Sequence, residues 1–132
     1  MAKTKISNDS NQELDVITLP LKINSRNILD RQHWAVKKRS KQEFALFIRN
    51  QMRLRRIPPC DCATYKVSIL SLRKKKLDYD NLVGGCKQLI DALIDEKFIY
   101  DDSPDYLEID FAQTIVKTDY QTIISRCRLT DI

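Results

Sequence analysis

The chain has 132 residues, 23 Lys+Arg against 18 Asp+Glu for a formal charge of +5, and 42% apolar residues. That length suits one domain able to bury its own core without disulfide staples, and the charge favours a polyanionic partner without identifying it. Only two glycines occur, Gly84 and Gly85, which excludes a glycine-rich phosphate loop and a dinucleotide-binding fingerprint, so no nucleotide cofactor is expected.

Residues 1–12 are polar and without apolar period, and read as a loose arm before a domain over 13–132. In LDVITLPLKI the alternation of Ile17, Leu19, Leu21 and Ile23 predicts a strand, with Pro20 placing it at a sheet edge or at its own end. From Asp30 to Arg56 the spacing predicts one long helix. Phe44, Phe47, Ile48 and Met52 form its apolar stripe, and Lys37, Lys38, Arg39 and Lys41 lie largely off it, before Pro58-Pro59 ends it. TYKVSILSL reads as a buried strand running into Arg73-Lys74-Lys75-Lys76. A second helix is predicted from Asp80 to about Asp95, since Leu82, Cys86, Leu89, Ile90 and Leu93 recur at helical spacing. Alternation at Leu107, Ile109 and Phe111, and again at Ile123, Ser125, Cys127 and Leu129, gives two more strands, with Lys117–Asp119 as their hairpin turn. The expected fold is α+β in βαβαββ order, a small mixed sheet packed by two helices in a single domain.

No apolar run reaches membrane-spanning length and the first residues lack a secretory apolar core, so a soluble cytoplasmic protein is expected. Cys60, Cys62, Cys86 and Cys127 have no zinc-ligand spacing and lie far from His33, the one histidine. Reduced thiols are the expected state.

The chemistry-bearing stretch is RKKKLDYDNLVGGCKQLIDAL with the later IYDDSPD. Asp78 and Asp80 would diverge by about 200° in a helix but project to one side in extended chain, so they converge only at a strand-to-helix junction, with Asp80 near the N-cap. Gly84, Lys87 and Asp91 follow Asp80 in helical phase, within roughly 40° at about 100° per residue, and present a carboxylate, a gap without a side chain and an ammonium in line for an elongated anion. Asp101-Asp102 precede Ser103-Pro104-Asp105, suited to a turn or a single helical turn, and one of the two aspartates can fold back on the first pair. Three close carboxylates repel unless a divalent cation joins them. Hard oxygen donors without a His or Cys cluster point to Mg²⁺, or Mn²⁺. Beside them, Arg73, Lys74, Lys75, Lys76, Lys37, Lys38 and Arg39 would draw DNA phosphates. Together these predict metal-assisted phosphodiester hydrolysis, with Lys87 neutralising transition-state charge.

Each feature also has an ordinary reading. Asp80 suits a helix N-cap, a DxD pair suits a solvated loop, Arg73 to Lys76 suit a solvated strand end, and His33-Trp34 suit a staple at the start of the long helix. Asp91, three turns from Asp80 and so about 16 Å along the axis, is too distant to share its metal.

LDYDNLVGGCKQLIDALIDEKFIYDDSPDYLE resembles the central block of the RusA family of Holliday junction resolvases, especially its phage and prophage members. The resemblance rests on DxDN (Asp78, Asp80, Asn81), on Lys87 four residues before Asp91-Ala92-Leu93, and on Asp101-Asp102. It implies a small α+β homodimer that cuts four-way DNA junctions with Mg²⁺, using Asp78, Asp80 and Asp102 as metal ligands and Lys87 beside them. The segment around Val83-Gly84-Gly85 is longer than in the family's bacterial pattern, so Lys87 is assigned by counting back from Asp91-Ala92-Leu93. Two other readings remain open: a non-catalytic DNA-binding module, whose aspartates would lie apart, and a nuclease for flaps or other branched DNA.

Overall fold

The structure, a computed structural model, describes residues 3–5 and 13–129. In chain order it contains β1 (Lys3–Lys5), β2 (Glu13–Leu19), α1 (Arg26–Arg31), α2 (Trp34–Arg55), β3 (Tyr65–Arg73), α3 (Tyr79–Gly85), α4 (Lys87–Asp95), β4 (Leu107–Ile115) and β5 (Gln121–Arg128). The five strands form one mixed sheet in the order β1-β2-β5-β3-β4, antiparallel except for the parallel β3–β4 pair. A single mixed α/β domain results, in which β2, the α1–α2 segment, β3, the α3–α4 segment, β4 and β5 follow the predicted order.

Four local expectations are corrected. The predicted loose arm contains β1, paired with Glu13–Asp15, while the rest of it lies outside the described residues. The first predicted strand stops at Leu19, before Pro20, although Leu21 and Ile23 still pack into the core from an irregular connector. The long helix is two helices, because His33 turns extended (φ −65°, ψ 148°) and caps α2, its Nδ1 accepting from the Ala35 N–H at 3.2 Å. β4 and β5 are not a hairpin: β3 lies between them, and residues 116–120 cross its end, where the Val116 N–H donates to the Arg73 carbonyl. The alternation that identified both strands carries no information on which neighbour each one chooses.

One face of the sheet holds the core. β3 alternates strictly, with Tyr65, Val67, Ile69, Ser71 and Arg73 buried, and Ile17, Leu19 and Ile124 join them beneath Phe44, Ile48 and Met52 of α2 and Leu89, Ala92 and Leu93 of α4. The heptad-like spacing of Phe44, Ile48 and Met52 thus faces the sheet as predicted. Arg56 ends α2 in the left-handed region (φ 56°) just ahead of the Pro58-Pro59 stop.

Two arginines are buried within this frame. Arg126, 4% exposed, ion-pairs with Asp15 (3.1 Å) and donates to the carbonyls of Phe98 (2.8 Å) and Pro58 (2.6 Å), tying β5 to β2 and to two connectors. Arg73, 5% exposed, donates to the carbonyls of Ile23 (2.8 Å) and Lys75 (2.7 Å). Thr122 adds a bond to the Leu21 carbonyl (2.8 Å), so β3 and β5 together hold the connector that leads into α1.

That connector meets α3 at the two glycines. A Cβ at Gly85 would overlap the Asn24 carbonyl oxygen, and one at Gly84 would stand 2.6 Å from Arg26 Cδ and 2.9 Å from Arg26 Cβ. Neither glycine has positive φ, so close approach rather than backbone conformation is what requires them. The same pair weakens the helix, and the run breaks at Cys86 (φ −86°, ψ 0°) between α3 and α4. Gly85→Ala is expected to destabilise the fold by about 1–3 kcal/mol or more, the range for forcing a methyl into packed space. Urea unfolding measures it, and a variant as stable as the parent would show that the Asn24 contact is not tight.

Candidate functional site

β3 ends at Arg73, and residues 74–77 lead to the start of α3. Gln113 of β4 fixes the end of that loop, because its Nε2 donates to the Leu77 carbonyl (2.7 Å) and its Oε1 accepts from the Leu77 N–H (2.9 Å). Asp78 follows directly and is the N-cap residue, in extended conformation (φ −60°, ψ 148°), yet its carboxylate makes no capping bond. The cap therefore lies two residues before the position read from the sequence, and Asp80 sits in the first helical turn, where a carboxylate favours the helix dipole. Tyr79 is already helical, so the extended geometry that would align the two side chains ends at Asp78. Both aspartates are exposed.

Lys87 opens α4. Together with Asp91 and Asp102 it lines a cavity of about 220 Å³ whose other walls are the apolar side chains of Val83, Ile90 and Phe111. Asp102 is placed there by the predicted single turn. The Asp102 N–H donates to Asp101 Oδ1 (2.9 Å), the Tyr106 and Leu107 N–H groups both donate to the Ser103 carbonyl (2.9 and 3.0 Å), and the Tyr100 and Tyr106 rings pack edge to face at 4.7 Å. Asp80 precedes Val83 by three residues, one helical turn from the rim of this cavity.

The expected cluster of Asp78, Asp80 and Asp102 is not assembled. Among the described residues no three His, Cys, Asp or Glu side chains stand close enough to hold a metal ion. Asp102 faces Lys87 and Asp91, whereas Asp78 and Asp80 stay at the start of α3. Uncompensated carboxylates repel, and no lysine or arginine among the described residues forms an ion pair with any of the three. The donors are nonetheless the hard oxygens that Mg²⁺ or Mn²⁺ takes, and Mg²⁺ commonly uses one or two carboxylates with water and phosphate completing its shell. The donor chemistry fits; the three-ligand arrangement does not.

On the other side of α4 runs a groove of about 490 Å³. Lys37, Lys38 and Lys41 of α2 form one wall, and Lys87, Gln88 and Asp91 of α4 the other. Leu29, Arg26 and Asp30 of α1 and Gly84 complete it. Lys87 and Asp91 thus form a partition between groove and acidic cavity. The gap expected at Gly84 is filled by the stem of Arg26, and the break at Cys86 interrupts the helical phase from Asp80 to Lys87, so no continuous stripe for an anion exists.

Of the expected DNA contacts, Lys37 and Lys38 line the groove, while Arg39 and Lys74, Lys75 and Lys76 are exposed elsewhere. Arg73 is corrected: it faces the interior and its donors serve backbone carbonyls, because alternation along β3 puts it on the core side with Ser71 and Ile69. Arg26, Asp30, Gln88 and Gln113 were not singled out by the sequence reading. Arg26 and Asp30 face each other one turn apart on α1, whereas the contact of Arg26 with Gly84 and the clamp of Gln113 on Leu77 join residues distant in sequence, which periodicity does not encode. Lys41 was readable, since Trp34, Lys37, Lys38 and Lys41 share one face of α2 at helical spacing.

No protein-family model matches the chain, and no curated protein matches it in sequence. No helix among the described residues is long and apolar enough to cross a membrane.

Gln113→Ala should remove both bonds to Leu77 and cost about 1–3 kcal/mol. It should also speed hydrogen exchange at the Leu77 amide ahead of global unfolding. Unchanged exchange there would mean that β4 does not fix the start of α3.

Proposed function

We propose that this protein is a Mg²⁺-dependent, structure-specific DNA endonuclease acting in the cytoplasm, whose substrate is the four-way junction and whose reaction is paired phosphodiester hydrolysis. The observation that carries the reading is the position of Lys87 in the partition between a cation-lined groove and a cavity bearing Asp102. A strand whose phosphates follow Lys37 and Lys38 meets that ammonium beside the acidic edge. The RusA-like motif residues Asp78, Asp80, Lys87 and Asp102 support the same reading.

Asp78 and Asp80 would hold the metal, with Asp102 approaching from the turn before β4. When bound, it supplies Lewis-acid polarisation of a phosphate oxygen and a water of lowered pKa. Lys87 neutralises charge that develops on the phosphate, and the lysines of α2 orient the strand. Cutting two strands calls for two copies of the chain. A homodimer is supported by the sheet face turned away from the helices, where Val16, Leu70, Leu72 and Ile123 are half-buried without belonging to the core.

A second reading is favoured by the separation of Asp102 from Asp78 and Asp80: a DNA-binding module that does not cut. The test incubates the protein with a synthetic four-way junction, a flap and a linear duplex, with and without Mg²⁺. Symmetric paired nicks on the junction in Mg²⁺ alone are expected. Nicks confined to the flap would reassign the substrate, and binding without nicks would establish the second reading.

Two variants probe the site. Asp80→Asn should lower junction cleavage by more than the roughly 10–100-fold typical of losing a metal's outer-shell partner, with binding retained or tightened as a negative charge beside phosphate is lost. Retained cutting would remove Asp80 from the site. Lys87→Ala should slow cleavage by about 100- to 1,000-fold, as for loss of one oxyanion donor, a far larger effect than its loss of affinity. A loss confined to affinity would make Lys87 a plain phosphate contact.

A further inference from the structure

Trp34, the single tryptophan of the chain, is the first residue of α2 and is 68% exposed, with its ring tilted at 37° to that of His33 and 5.5 Å from it. Burial explains none of this position. An aromatic surface of that size left in water, beside cations and outside the core, is the feature of nucleic-acid surfaces on which bases stack. Helical phase puts Trp34 one turn before Lys37 and Lys38 on the face of α2 that lines the basic groove.

The groove itself has a definite charge. Its lysines and Arg26 outnumber its two carboxylates, Asp30 and Asp91. Lys41 is engaged with Asp95 (3.1 Å) and Arg26 lies 3.7 Å from Asp30. Lys37, Lys38 and Lys87 form no ion pair among the described residues, so three ammonium groups on opposite walls are uncompensated. The stems of these side chains and Leu29 supply an apolar lining.

Size then selects the ligand. A volume of about 490 Å³ is that of a small-molecule site, room for part of a single strand, whereas a duplex keeps its bases stacked and paired inside and offers none to a ring on the protein surface. A base can reach the Trp34 ring only when it is freed from its own stack and pair. We infer that the groove seats an unpaired stretch of DNA strand, its phosphates along Lys37, Lys38 and Lys87, with one base stacked on Trp34. This rests on the branched-DNA reading and deepens it: the protein would recognise the unpaired nucleotides available at a branch point, through a contact separate from the carboxylates that cut.

Because no other tryptophan is present, tryptophan fluorescence, excited on the red edge where the five tyrosines do not absorb, reports on Trp34 alone. The full-length protein in EDTA is titrated with a short oligo-dT strand and with a blunt duplex of equal length, each carrying a terminal dye for anisotropy. The expected result is saturable quenching of Trp34 by the single strand, with the duplex bound more weakly. Trp34→Ala should weaken the single-strand complex by about 5- to 100-fold, Trp34→Phe should recover much of that loss, and Lys37→Glu should weaken binding without abolishing quenching at saturation. Binding without quenching, a Trp34→Ala variant as tight as the parent, equal quenching by duplex, or no binding to the single strand would each overturn the inference. Quenching without junction cleavage in Mg²⁺ would leave this site standing while the nuclease reading fails. Cleavage without quenching would do the reverse.

Discussion

The Asn24 carbonyl rests against Gly85 in space that any side chain would fill, and the position of α1 against α3 depends on that approach. The backbone on either side is held by buried donors: Thr122 bonds the Leu21 carbonyl and Arg73 the Ile23 carbonyl. Arg26, at the start of α1, then lies across Gly84. Contacts among four parts of the chain, residues 21–26, Arg73, Gly84-Gly85 and Thr122, thereby hold α1 against α3 and create a groove between α1, α2 and α4 where a simple two-helix layer would present a flat face. Desolvating the guanidinium of Arg73 is unfavourable, and its pKa is lowered by burial. Its bonds to backbone carbonyls offset that cost where a buried charge would otherwise be unstable.

Charge is distributed around this groove with a definite polarity. Two ion pairs tie α2 to the end of α4: Lys41 to Asp95, exposed and contributing little to stability in water, and Arg49 to Glu96, a bidentate pair on a carboxylate only 15% exposed. Their effect is to engage the cations nearest the C-terminal end of α4, while Lys37, Lys38 and Lys87 form no ion pair among the described residues. Asp102 lies in the cavity on the other side of Lys87, so the ammonium stands between the cationic groove and an acidic group. A phosphodiester needs cations to approach and a place for developing negative charge; that combination is what makes hydrolysis the proposal that accounts for most of the site.

Much of the fold was legible in the sequence because it rests on local periodicity. Tyr65–Arg73 alternates as a buried strand, Phe44, Ile48 and Met52 mark the buried stripe of α2, and the turn ahead of β4 follows from Ser103-Pro104-Asp105. What escaped is non-local. Insertion of β5 between β2 and β3, the clamp of Gln113 on Leu77 and the filling of Gly84 by Arg26 each join residues far apart in sequence, and spacing within a segment does not specify them. The basic run was misleading at one position: Arg73 belongs to the same string as Lys74, but the strand's period of two continues through it and turns it inward. The aspartates themselves were found by motif and spacing. Spacing and motif also predicted that Asp78, Asp80 and Asp102 gather, and here they misled: Asp102 is carried on the turn before β4, while Asp78 and Asp80 stay at the start of α3 and no three-ligand cluster forms among the described residues.

If the proposed site is correct, these acids and Lys87 act on one phosphate. A structure of the full chain bound to a four-way junction in Ca²⁺ should then show a strand in the groove, one phosphate against Lys87, and a cation shared by that phosphate with Asp80 and Asp102. DNA bound to another face, or seated with the aspartates apart and no cation between them, would rule the site out.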